Sequence, residues 1–240
     1  MIASGYDIWL IEPTRSPDLE LLSPDERAWA FRFVREEDRN SFLSTRLALR
    51  CLLADAMKTD PRELRFTRNA WGKPRLDNAE CPTSLNFNVS HTDGLAVIAL
   101  ARGARIGVDV ERRRTVLDCA KIAAGVFHEG VVERLMRLPR AEQDAAFLRL
   151  WTAGEALVKA AGTGLGGYGK PVPLAWSPDG NPEVNLESSF GTEGEWTLIS
   201  LDLPAGFIGS TAVEGFCPSR SLRCVPKRID LAQLTSRYVQ

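Results

Sequence analysis

Three acidic side chains are the first candidates for chemistry. In Ile106-Gly107-Val108-Asp109-Val110-Glu111 the residues alternate with the period of a strand. Ile106, Val108 and Val110 then share one face, and Asp109 and Glu111 project together from the other. Two carboxylates side by side repel unless solvent or a cation separates them. A hard cation such as Mg²⁺ accepts one or two such groups together with waters and substrate phosphates. The same pattern also describes a plain solvated strand edge, so the pair alone does not decide between the two. The third acid, Glu155, lies in Phe147–Lys159, which reads as a mostly buried helix because Phe147, Leu150, Trp151 and Val158 recur at helical spacing. Glu155 and Lys159 are four apart with the acid first, the favourable order. As a surface ion pair they would contribute little, but the apolar neighbours of Glu155 favour a functional role.

Asn86-Phe87-Asn88-Val89-Ser90-His91-Thr92 ends a strand with a hydroxyl and an imidazole together. Strand ends beside loops are places where ligand groups sit. A serine hydrolase would need a nucleophile elbow, G-x-S-x-G, which is absent, and neighbours on a strand point to opposite faces. Ser90 and His91 fit phosphate or ribose contacts better than a nucleophile and its base. Two glycine-rich stretches imitate nucleotide motifs. Gly162 to Gly167 fits G-x-G-x-x-G but closes a helix instead of opening one, and Gly164 to Lys170 is followed by Pro171 where a P-loop needs Ser or Thr. Both read as a helix-terminating loop.

The elements that must position these residues follow from pattern. Tyr6 to Ile11 is strand-like. Ser23-Pro24-Asp25-Glu26 combines a cap, a proline at the first helical position and a capping-box acid. Helix then runs to about Met57 with a break near Val34 to Glu36, and Arg46 and Arg50 lie four apart beside its apolar face. A hairpin follows, Leu64 to Thr67 and Pro74 to Leu76, and then strands at Leu85 to Val89, Leu95 to Ala101 and Arg105 to Glu111. Helices at Val116 to Ala124, Gly130 to Arg137 and Ala141 to Ala161 precede strands at Trp196 to Asp202 and Phe207 to Val213. Helix followed by strands, twice, suggests two similar α/β units joined near Gly103. The stretch Pro226 to Gln240 reads as a short surface helix or a frayed end.

Composition narrows the class. The 240 residues carry 30 Lys+Arg against 31 Asp+Glu, a net charge of −1, which argues against nucleic-acid binding by bulk charge. The longest apolar run, Leu95 to Ala101, is far short of the about 20 residues of a membrane span. The first residues lack the pattern of a secretion signal. Five scattered cysteines without a C-x-x-C pair fit reduced thiols in a cytoplasmic protein, and with only two histidines any metal must rely on carboxylates.

Taken in order, Leu22-Ser23-Pro24-Asp25-Glu26-Arg27, Gly72-Lys73-Pro74, Phe87 to His91, Ile106 to Glu111 and Trp151 to Leu165 resemble the 4′-phosphopantetheinyl transferases, in particular the large, pseudo-duplicated Sfp-type class. The resemblance implies an α+β fold of two similar α/β subdomains related by a pseudo-twofold, with the active site at their interface. On this sequence these would be residues 1–104 and 105–225, followed by a tail, 226–240. It implies Mg²⁺-dependent transfer of phosphopantetheine from coenzyme A to a serine of an acyl or peptidyl carrier protein, releasing adenosine 3′,5′-bisphosphate. Asp109, Glu111 and Glu155 would hold the metal, and Glu155 would help deprotonate the serine. Lys159 would balance pyrophosphate charge or tune Glu155. Ser90 and His91 would contact coenzyme A phosphates, and Gly72, Lys73 and Pro74 would border the nucleotide. Arg50 and Arg32 match basic positions near its 3′-phosphate. No nucleic acid or membrane partner is implied, and a monomer is expected.

Two departures stand out. The family usually has Lys immediately before the helical glutamate, where this chain has Gly154, with Arg105 or Lys170 as possible substitutes. The acid often found shortly after the position of Phe127 is shifted or lost in Phe127-His128-Glu129. Gly154 supports an alternative expectation: a weakened homologue that binds coenzyme A or a carrier domain without efficient transfer.

Overall fold

The computed structural model describes residues 5–15, 17–77, 85–163, 171–185, 195–215 and 222–239. The chain divides into two compact units, Met1–Gly103 with Pro226–Gln240, and Ala104–Val225.

The first unit opens with strand β1 (Tyr6–Ile11), then helices α1 (Pro24–Ala30) and α2 (Glu36–Met57). The expected capping box is present. Ser23 Oγ accepts the Glu26 N–H at 3.2 Å, and Glu26 Oε2 accepts the Ser23 N–H at 2.9 Å. A short hairpin, β2 (Phe66–Arg68) with β3 (Pro74–Leu76), leads to β4 (Leu85–Thr92) and β5 (Leu95–Arg102). β5 lies between β1 and β4, antiparallel to both. The apolar face of α2, through Leu47, Leu49 and Leu53, joins Ile11, Ile98 and Leu100 in the core.

The second unit starts with β6 (Ile106–Arg112) and continues through α3 (Cys119–Val126), α4 (Glu129–Arg137) and the long α5 (Arg140–Ala161). A hairpin that the sequence reading missed, β7 (Leu174–Trp176) with β8 (Pro182–Val184), precedes β9 (Trp196–Leu201) and β10 (Phe207–Glu214). β10 lies between β6 and β9, again antiparallel to both. Each unit thus runs strand, long helix, hairpin, two strands, with the later strand of that closing pair in the middle. The units differ at the fourth strand. β11 (Leu222–Cys224) lies parallel to β9, whereas β12 (Lys227–Arg228) lies parallel to β1.

The stretch expected as a separate tail is part of the first unit. After β12, helix α6 (Leu231–Thr235) is capped by Asp230 and buries Leu231 and Leu234 in the core of that unit. Lys227 Nζ reaches Asp7 Oδ1 at 2.7 Å. Among the described residues no helix is long and apolar enough to cross a membrane.

Candidate active site

The second unit gathers the acids. Alternation along β6 places Gly107, Asp109 and Glu111 on the face that α5 covers, and at Gly107 the two backbones nearly touch. A Cβ there would lie 2.1 Å from the Ala156 carbonyl oxygen and 2.4 Å from the Ala160 nitrogen. Only glycine allows this approach, and it brings the helix within reach of the strand's acids. Lys159 Nζ donates to Asp109 Oδ1 at 2.6 Å, and Asp109 is only 5 % exposed. Arg114 Nη2 donates to Glu111 Oε2 at 3.4 Å.

Glu155 faces the same cluster. Burial pushes its carboxyl above the ordinary range, Lys159 opposes that rise, and Asp109 and Glu111 add to it. Glu111 is raised likewise, by burial first and then by Asp109, against Arg114 and Lys159. The strand pair and the helical glutamate, 44 to 46 positions apart in the chain, therefore lie within electrostatic range of one another. Among the described residues no three His, Cys, Asp or Glu side chains come close enough together to hold a metal ion as they stand, and the Lys159 ammonium is what neutralises Asp109. The donor chemistry nonetheless fits Mg²⁺. Three hard carboxylates repelling one another are what a small divalent cation relieves, and a soft metal would find neither thiolate nor imidazole there.

Gly154 turns away from this cluster. A Cβ there would meet Phe127 Cε1 at 3.4 Å, Val172 Cγ1 at 3.5 Å and Leu174 Cδ1 at 3.7 Å, all in the core. A lysine would be aimed into that core, so for this chain the glycine is a packing position. Arg105, offered as a substitute cation, is held elsewhere: it binds Glu214 through Nε at 3.0 Å and Nη2 at 2.8 Å, and lies over Trp196. Lys170 and most of the glycine-rich loop fall outside the described residues. Within them, Gly162 ends α5 with φ +81° as the helix-stop reading expects.

The first unit holds the remaining candidates. Ser90 is buried and His91 exposed on β4, opposite Val97 and Ala96 of β5. They thus point to opposite faces, as a strand requires, which removes the hydrolase reading. Lys73 is half-buried at the end of a loop that Asn69 organises. The Asn69 side chain accepts the Trp71 N–H at 3.0 Å and the Lys73 N–H at 2.9 Å, and Gly72 adopts φ +83°, a conformation that favours glycine. Pro74 opens β3. Arg32 is exposed and stacks on Trp29, 4.7 Å from the ring centroid.

Arg50 differs from expectation. It is 2 % exposed, donates through Nε to Glu26 Oε2 at 2.7 Å, and gives Nη1 to the Pro61 and Leu64 carbonyls. Arg46 Nε also donates to Glu26, and both guanidiniums lie against Phe66. A guanidinium so enclosed ties α2 to α1 and to the following turn. The sequence showed the Arg46/Arg50 stripe but not its partner, because Glu26 already had a complete role as a capping acid. Thr152 and Ser210 were also missed. Their hydroxyls lie 3.1 Å apart between α5 and β10, and the only signal was the position of Thr152 one turn before Glu155.

Known proteins resemble this chain in both units. The family described as 4′-phosphopantetheinyl transferase, N-terminal, matches residues 13–102, and the 4′-phosphopantetheinyl transferase superfamily matches residues 105–207. The 4′-phosphopantetheinyl transferase HetI of Nostoc sp. is 30% identical over 90% of either chain. A putative 4′-phosphopantetheinyl transferase of Synechocystis sp. is 37% identical over 69% of either chain. The 4′-phosphopantetheinyl transferase Sfp of Bacillus subtilis is 26% identical over 77% of this chain and 81% of its own.

Proposed function

Since the chain belongs to the 4′-phosphopantetheinyl transferase superfamily and is a transferase of that kind, we propose that it carries 4′-phosphopantetheine from coenzyme A to a serine of an acyl or peptidyl carrier protein. The serine oxygen attacks the β-phosphorus of the coenzyme A pyrophosphate, and the new P–O bond replaces the bond to adenosine 3′,5′-bisphosphate, which leaves with the pyrophosphate bridging oxygen. The serine proton passes to Glu155, directly or through one water.

What supports this reading is the convergence of Glu155 on Asp109 and Glu111 beside Lys159. Glu155 is half-buried beside these acids, and a carboxylate within reach of the incoming hydroxyl can accept its proton. Asp109, Glu111 and Glu155 would hold Mg²⁺, which when bound supplies charge neutralisation at the pyrophosphate. Lys159 keeps Asp109 neutralised and offers a second positive charge for the substrate. Ser90, His91, Gly72, Lys73, Pro74 and Arg32 are assigned to coenzyme A by the family motifs they match; Arg50 is left out of that set because of its burial. The chain is proposed to act as a monomer in the cytoplasm, with no nucleic-acid partner.

The competing reading, a homologue that binds without transferring, drew its force from a missing cation at Gly154. Because that position faces Phe127, Val172 and Leu174, the argument weakens and the active reading is preferred. Incubation with coenzyme A, Mg²⁺ and a panel of fatty-acid, polyketide and peptide-synthetase carriers tests it, with mass spectrometry reading the carrier serine. Loading of at least one carrier is expected; failure with all of them supports the binder.

A further inference from the structure

Ser210 lies directly opposite Asp109 in the β6–β10 pair, so the two side chains share the face that α5 covers. Its hydroxyl is 3.1 Å from that of Thr152. Thr152 is fully enclosed and Ser210 nearly so. Thr152 also donates to the Arg149 carbonyl at 3.2 Å. Either hydroxyl can donate within the pair, since each has one proton that rotates and an oxygen that accepts. Both groups are matched, in a place where an unmatched hydroxyl would be costly.

Where α5 crosses β6 the surfaces are small, Gly107 on the strand against Ala156 and Ala160 on the helix, although α5 also buries larger side chains such as Leu150, Leu157 and Val158 in the core. The small-residue contact sets how close α5 comes to the sheet but resists rotation of the helix about its own axis only weakly. Directed bonds do resist it, and two of them join α5 to the sheet here: Lys159 to Asp109, and Thr152 to Ser210 nearer the start of the helix. Thr152 precedes Glu155 by three residues and Lys159 by seven, so all three lie on one side of the helix. With side chains about 5–6 Å from the axis, a roll of about 10° moves a carboxylate by about 1 Å, and a displacement of that size can cost on the order of 10²-fold in rate.

We propose that the Thr152–Ser210 hydroxyl pair sets the roll of α5 and thereby holds Glu155 in register with Asp109 and Glu111; both are positioning residues. This rests on the transferase reading and deepens it. Three variants of the full chain test it: Thr152→Val, Thr152→Ser and Ser210→Ala. Thr152→Val is expected to lower kcat for carrier loading on the order of 10–100-fold with the KM for coenzyme A and carrier unchanged. It should also weaken Mg²⁺ binding, read by calorimetry with coenzyme A present and carrier absent. Thr152→Ser, which keeps the hydroxyl, should restore both readouts. A merely structural pair would lower the melting temperature while leaving kcat per folded molecule and Mg²⁺ affinity at wild-type values, and that result overturns the proposal. If Thr152→Val does not fold, Ser210→Ala decides by the same two readouts. A wild-type chain that loads carriers beside an unaffected variant removes this inference alone. A wild type that neither binds Mg²⁺ nor loads any carrier removes the transferase reading and this inference with it.

Discussion

Glu155 carries opposite consequences for stability and for chemistry. Burial and two neighbouring acids raise its pKa in the fold, so its ionised form is held at a cost at neutral pH. The fold takes up protons at this site more readily than the unfolded chain does, and the site's contribution to stability improves as pH falls through its raised pKa toward the ordinary 4.5. Glu155→Gln should therefore melt no lower than wild type at pH 7 without metal, while carrier loading falls on the order of 10²–10⁴-fold if the carboxylate is the base. Thermal melts beside a loading assay check both. The glycines separate in the same way. Gly154 has no positive φ and room for a methyl group, so Gly154→Ala should stabilise by about 1 kcal/mol. Gly154→Lys should destabilise and bring no gain in loading. Gly107→Ala, with its Cβ 2.1 Å from a carbonyl, should cost about 3 kcal/mol or more. Denaturant titrations order the three.

At the scale of elements, the joint between α1 and α2 rests on one acid. Burial alone would raise the Glu26 pKa, but Arg46, Arg50 and the Ser23 N–H together bring it below its ordinary 4.5. A depressed carboxylate stabilises the fold above its unfolded pKa and loses that contribution as pH falls through the lower, folded value. Acid unfolding should thus show a proton uptake below pH 4.5 that Glu26→Gln removes. Glu26→Ala, which strands two enclosed guanidiniums, should cost about 3–5 kcal/mol. Long elements were legible in the sequence because period and caps repeat over many residues: Ser23 with Glu26 marked α1, and alternation marked β6 and its acids. The three-residue strands β2 and β3 were legible through the turn between them, whereas β7, β8, β11 and β12, of two or three residues each, went unread. The enclosure of Arg50 could not be read either, since nothing local says that Glu26, 24 positions earlier, serves two purposes. Gly107 lacked a signal because a close approach belongs to the partner as much as to the glycine.

For the molecule as a whole, the shared connectivity of the two units is broken by the route of residues 226–240, which return to the first unit through β12, the Asp7–Lys227 pair and α6. Tyr238 and Arg237 also hold Asp55 of α2. Removing these residues should lower hydrogen-exchange protection in β1 and α2 and leave β6 and α5 unaffected. The order of synthesis adds a consequence. The ribosome completes the carboxylate-bearing half before it delivers the residues that close the half it began with. A nascent chain can fold its later-made half first, while the earlier-made half waits with one sheet edge open and part of its interior uncovered. Chaperone demand during translation should fall on that waiting half.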